Sequence, residues 1–147
     1  KKGIFMRLLL LNEHADKAEK HAQMQNDFLQ EQGQPAFIDS VSDTFLIDHE
    51  DQIVGFAKVS LEEECFPDED LPEICLKIQA FYIMPEHRGK TLGRQAFKLL
   101  RGWGRDNKAS LVETQVNPAL DFSHDFLKDQ GLELVGAGKQ DVFRGFI

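Results

Sequence analysis

Hydrophobic positions along this 147-residue chain change their period several times, and each change marks an element. Ile4 to Leu11 is an apolar run of strand length, after which Ala15, Ala18, Ala22, Phe28 and Leu29 recur near helical spacing. Asn12 is placed to cap that helix and Gly33 to stop it. Thr44 to Ile47 and Ile53 to Leu61 read as two strands joined by the polar turn His49-Glu50-Asp51-Gln52. Ile74, Leu76, Ile78 and Ala80 then alternate with Cys75, Lys77 and Gln79, which predicts a half-buried strand, while Phe81 to Met84 is apolar on both faces. Such a change of pattern also accompanies a β-bulge beside a site.

Pro85 ends that strand, and Leu92, Ala96, Phe97, Leu99, Leu100 and Trp103 trace one face of a second helix whose other face carries Arg94, Lys98, Arg101 and Arg105. Leu111 to Val116 is a strand, Ala119 to Gln130 a third helix stopped by Gly131, and Leu132 to Val135 with Val142 to Ile147 a closing hairpin. The predicted order is β-α-β-β-β-α-β-α-β-β, with no repeat and no low-complexity linker. That length and order fit a single α/β domain over residues 1–147.

Composition narrows the function classes. The two cysteines, Cys65 and Cys75, have neither disulfide-framework nor zinc spacing, so a reducing, cytoplasmic setting is expected. No apolar run approaches the ~20 residues of a membrane helix, and no membrane association is expected. A formal charge of -8 opposes a phosphate backbone, so no nucleic-acid partner is expected either. Glu62, Glu63, Glu64, Asp68, Glu69, Asp70 and Glu73 crowd one segment, read as a solvated loop or, more sharply, as a lip attracting an amine.

The chemistry concentrates between Met84 and Arg94: a strand, a proline, a basic glycine-containing turn and a helix start. Glycines let an anion approach backbone N–H groups, and the helix N-terminus adds about half a positive charge. The segment lacks the Gly-Lys-Ser/Thr of a nucleotide P-loop and the three-glycine dinucleotide fingerprint. By itself it is also compatible with a plain helix cap.

The run Phe81-Tyr82-Ile83-Met84-Pro85-Glu86-His87-Arg88-Gly89-Lys90-Thr91-Leu92-Gly93-Arg94 resembles the acetyl-CoA-binding motif of the GNAT family of N-acetyltransferases. Asn117, Ala119 and Phe126 to Leu132 are similar to that family's later signature, so the resemblance spans nearly the whole chain. It implies a mixed α/β (α+β) sheet of six or seven strands with three or four helices, splayed at the cofactor strand. It also implies transfer of an acetyl group from acetyl-CoA to a primary amine of a small molecule or peptide, by direct attack and without a metal. Cofactor contacts would come from the backbone of Phe81, Tyr82 and Ile83, from Arg88, Gly89, Lys90, Thr91, Leu92, Gly93 and Arg94 around the pyrophosphate, and from Asn117. Thr91 stands where the family's middle glycine is usual, and Leu127 where a tyrosine commonly serves as general acid.

An ammonium of pKa near ~10 must lose a proton before attack, which calls for a base. Glu113, flanked by Leu111, Val112 and Val116, is the first candidate, with partial burial expected to raise its pKa; Glu73 is the second. His124, one turn before Leu127, and Tyr82, the only tyrosine, are candidate acids. His14, His21, His49 and His87 lack the companions of a metal site. The alternatives are a GNAT-fold acyl-CoA-binding protein without efficient catalysis and an interaction domain in which the basic turn only caps a helix. A homodimer pairing terminal strands such as Val142 to Ile147 is a further expectation.

Overall fold

Alternating side chains give each strand two faces to cover, and in the computed structural model both faces of one sheet are covered by helices. The structure describes residues 5–32, 43–64, 73–89, 91–116, 121–136 and 141–147. The elements follow the predicted order: β1 (Met6–Leu10), α1 (Ala18–Gln32), β2 (Asp43–His49), β3 (Gln52–Glu64), β4 (Glu73–Ile83), α2 (Leu92–Asp106), β5 (Ala109–Val116), α3 (Asp121–Asp129), β6 (Glu133–Gly136) and β7 (Asp141–Phe146). The sheet runs β1-β2-β3-β4-β5-β7-β6. All neighbours are antiparallel except β4 and β5, the pair that the α2 crossover connects. β7 therefore lies between β5 and β6, which corrects the expectation that residues 142–147 offer a free edge.

On one face Phe45, Ala57, Val59, Leu76, Ile78, Val112 and Phe143 pack beneath Phe97 and Leu100 of α2 and Leu127 of α3. On the other, Leu46, Phe56, Ala80 and Tyr82 meet Met24 and Phe28 of α1. Phe56 and Phe97 are almost wholly buried, and burial of such a ring stabilises the fold by roughly 1.5–3 kcal/mol. The buried stripe of α2, Leu92, Ala96, Phe97, Leu100 and Gly104, keeps helical spacing. Arg101 is not part of a solvated face: it donates to the Gln130 carbonyl at 2.6 Å and to the Phe146 carbonyl, strapping α2 to the ends of α3 and β7.

Two features of β4 shape what lies beyond it. Lys58 of β3 pairs with Ala80 but Val59 pairs with Ile78, so Gln79 is the extra residue of a bulge, as the pattern change suggested. The parallel register with β5 stops at Ile78 and Thr114, where the Thr114 hydroxyl donates to the Ile78 carbonyl at 2.9 Å. The last five residues of β4 continue without β5, and the sheet opens there.

Candidate functional site

A cleft of about 450 Å³ occupies this opening, a size suited to a small ligand or the arm of a larger one. Ala80, Phe81, Tyr82 and Ile83 of β4 line one side and Thr114 and Gln115 of β5 the other. Phe97 of α2 with Phe126 and Leu127 of α3 form an apolar wall, and Phe28 and Glu31 of α1 close the opposite side. Phe81 and Phe126 stack and Phe97 meets both edge-on, with ring centroids 5.7–5.9 Å apart, and each such pair is worth roughly 0.5–1.5 kcal/mol beyond its buried area. These rings form the side of the cleft along which a slender apolar arm would lie.

The far end of the cleft is the start of α2. A 3₁₀ turn, Pro85–His87, leads into Gly89 at φ 79° and Thr91 at φ 63°, the N-cap of the helix. The first N–H groups of a helix lack intrahelical partners, and the Thr91 side chain does not cap them. Its hydroxyl oxygen instead accepts from Gln95 Nε2 at 3.1 Å. Gly89, Thr91, Gly93 and Arg94 line the cleft. A Cβ on Gly93 would stand 3.5 Å from the Phe126 ring, so the bare backbone leaves room at this point. Uncapped donors, helix dipole and an exposed arginine fit a pyrophosphate without requiring a metal.

The expected site residues separate into three groups. Phe81, Tyr82, Ile83, Arg88, Gly89, Thr91, Gly93 and Arg94 line the cleft. The Leu92 side chain is instead buried against Ile47, Val54, Ile83 and Ala96, which leaves only its backbone for a ligand. Lys90 and Asn117 lie outside the described residues. Arg88 reaches the cleft, but its guanidinium donates to both carboxylate oxygens of Glu31, at 2.7 and 2.9 Å, and to the Ile83 carbonyl at 2.7 Å.

The acid and base candidates are placed differently from expectation. Glu113 alternates away from Val112 and Thr114 to the opposite face. There it accepts from Arg144 Nε at 3.0 Å, from Arg144 Nη2 and from Lys77 Nζ at 3.1 Å. Burial pushes its pKa up, but the hydrogen bonds and charges of Arg144 and Lys77 outweigh that effect and hold it below the usual carboxylate range. The raised pKa expected of a base is thus corrected, and Glu113 does not line the cleft. Glu73 accepts from the Ser110 hydroxyl at 3.0 Å. It lies seven residues from Ala80, about 23 Å along the strand, so Glu73 sits far from the cleft. His124 turns to Asp141, at 2.7 Å, and packs on Phe143 instead of facing the cleft. Tyr82 does line it, and burial together with the charge of Asp27 raises its pKa despite Arg88, keeping the phenol protonated at neutral pH.

Glu31, Gln115 and Asp129 also line the cleft without having been singled out from the sequence. For Glu31 a signal existed, since Met24, Phe28 and Glu31 fall at i, i+4 and i+7 on the buried side of α1. Among the described residues no group of three or more His, Cys, Asp or Glu could hold a metal ion, and no helix is long and apolar enough to cross a membrane.

The Acetyltransferase (GNAT) family matches the sequence over residues 7–132. The chain belongs to the GNAT acetyltransferase family. Solved structures agree on the fold. An acetyltransferase from Thermus thermophilus is 16% identical, with 97% of each chain covered and a TM-score of 0.67. The ribosomal-protein-alanine N-acetyltransferase of Brucella melitensis is 16% identical over 97% of this chain and 99% of its own, also at 0.67. Arabidopsis thaliana NAA60, solved in complex with acetyl-CoA, is 11% identical over 98% and 99%, at 0.66. No curated protein matches the sequence. In this GNAT chain Leu127 is 4% exposed, packed in the core with Phe97 and Leu100 while also lining the cleft.

Proposed function

We propose that this GNAT protein transfers the acetyl group of acetyl-CoA to the primary amine of a small molecule or peptide. The observation that carries the reading is the opening between β4 and β5, with an apolar aromatic wall on one side and the uncapped start of α2 at its end. The backbone of residues 81–83 pairs with β3 on one side and has no β5 partner on the other, so the polar groups on its open side, apart from the Ile83 carbonyl held by Arg88, are available to the pantetheine arm. Thr91 to Arg94 present the N–H groups of the helix start, with the Arg94 side chain, to the pyrophosphate.

Acetyl-CoA supplies an activated thioester carbonyl. The amine nitrogen attacks its carbon, a backbone N–H of 81–83 stabilises the oxyanion, and the thiolate leaves. Tyr82 is the protonated group lining the cleft that can deliver a proton to that thiolate. The ammonium gives one proton to solvent before attack, because the carboxylates lining the described cleft are Glu31, engaged by Arg88, and Asp129, exposed at the end of α3; the nitrogen releases a second as the intermediate collapses, and solvent returns a proton to Tyr82. A second reading, acyl-CoA binding without efficient turnover, draws on Leu127.

Calorimetric titration of acetyl-CoA, followed by thiol release with an amine panel, tests both. Saturable binding that Gly93→Val abolishes, with turnover of at least one amine, supports the transferase. Binding with no turnover favours the second reading, and no binding by the wild type removes both.

A further inference from the structure

Arg88 occupies the first position of the phosphate-binding turn, yet its guanidinium points elsewhere. It lies 5.3 Å from the Tyr82 ring, on the sheet face that α1 covers, whereas α2 packs on the opposite face. Nη1 and Nη2 meet the two oxygens of Glu31 in a fork, and Nε holds the carbonyl of Ile83, the last residue of β4. A planar, bidentate pair of this kind is oriented as well as attractive. Both side chains are about one-third exposed, 32% and 28%, and both line the cleft. The pair therefore ties the last turn of α1, 57 residues away in sequence, to the point where β4 becomes the phosphate turn.

We infer that Glu31 and Arg88 form a positioning clamp that fixes the last turn of α1 as a wall of the cleft, and that the Arg88 guanidinium serves this wall and not the pyrophosphate. A phosphate reaching the start of α2 would have to draw the guanidinium from its carboxylate partner, from the Ile83 carbonyl and across the Tyr82 ring at once. The N–H groups of 91–94 and Arg94 already stand at the opposite face without such movement. Tyr82, the acid assigned above, lies between the clamp and the sheet, so the same contact also sets the surroundings of its hydroxyl. The inference rests on the proposed function only in what it says about the cofactor phosphates.

The test combines amide hydrogen exchange with acetyl-CoA titration in Glu31→Gln, Arg88→Gln, their double variant and the swapped pair Glu31→Arg/Arg88→Glu. The clamp predicts exchange in residues 28–32 that is about tenfold faster in each single variant, no faster in the double, and slowed again by the swap. Acetyl-CoA Kd should stay within about threefold of the wild type in both single variants. A tenfold or greater loss of affinity confined to Arg88→Gln, or unchanged exchange in Glu31→Gln, overturns the clamp. If the wild type binds no acetyl-CoA, the transferase reading fails, while the exchange pattern still decides whether Glu31 and Arg88 act as a unit.

Discussion

Replacing Thr91 separates the cost of its backbone from the use of its hydroxyl. At φ 63° and ψ 8° Thr91 is left-handed, a conformation that costs an L-residue with a Cβ roughly 1–2 kcal/mol. Glycine removes that strain but adds about 0.5–1 kcal/mol of chain entropy to be lost on folding. Alanine keeps the strain, and both substitutions lose the same bond from Gln95, so comparing Thr91→Gly with Thr91→Ala isolates the conformational part. The difference should be about 0.5–1 kcal/mol in favour of glycine, or roughly 1–4 °C in Tm for a chain of this size. Scanning calorimetry reads it directly, and an alanine variant melting as high as the glycine variant would refute strain at this N-cap. Affinity for acetyl-CoA should group the two variants instead of separating them. With its oxygen taken by Gln95, the hydroxyl retains a proton to donate to a phosphate oxygen, a charged hydrogen bond worth about 1.5–3 kcal/mol. Both variants should therefore bind about 10- to 100-fold more weakly, and Thr91→Ser should keep most of the affinity.

Three further outcomes follow from named contacts. A Cβ on Gly55 would overlap the Tyr82 carbonyl of β4, so Gly55→Ala should cost about 1–3 kcal/mol or more in urea unfolding, and a change under about 0.5 kcal/mol would contradict the register. Glu113 has a folded pKa below its unfolded value, so its contribution is present above the unfolded pKa of ~4.3 and is lost as pH falls through the folded one. Glu113→Gln should thus lose about 1–3 kcal/mol at pH 7, the gap narrowing with acid, and a pH-independent gap would deny the linkage. Tyr82→Phe should lower kcat about tenfold, below the usual range for a general acid because a thiolate of pKa near ~8.5 leaves readily; an unchanged kcat would remove Tyr82 as the acid.

The elements were legible because their periods are strong: the α2 stripe through Leu92, Ala96, Phe97 and Leu100 and the alternation in β4 leave little choice of structure. The turn before α2 was legible for a related reason, since its glycines, proline and basic residues are contiguous. The fates of charged side chains were not, because they depend on partners far away in sequence. Glu113 looked like a carboxylate in apolar company, but the parallel register sets it opposite Lys77 and the antiparallel one opposite Arg144. His124 was aligned with Leu127 by helical spacing, yet it meets Asp141 on β7.

The bulge at Gln79 accounts for the most consequential misreading within a correctly predicted strand. Simple alternation sets Ile74, Leu76, Ile78 and Ala80 on one face, and Tyr82 with them. The first three do face α2 and α3, but Ala80 and Tyr82 belong to the cluster beneath α1. The extra residue reverses the parity of the strand, so Gln79, bonded to Ser60 at 3.0 Å, and Ala80 fall on the same side. After it, Phe81 turns to the aromatic wall of α2 and α3, and Tyr82 turns to α1 and the Arg88–Glu31 pair. One inserted residue thus divides β4 between two tasks: a length that is bonded to β5 and holds the sheet, and a length that leaves β5 and exposes its backbone. An aromatic wall on one face and a protonated phenol on the other follow from the same reversal, which is why the cleft begins at the bulge and not at the end of the strand.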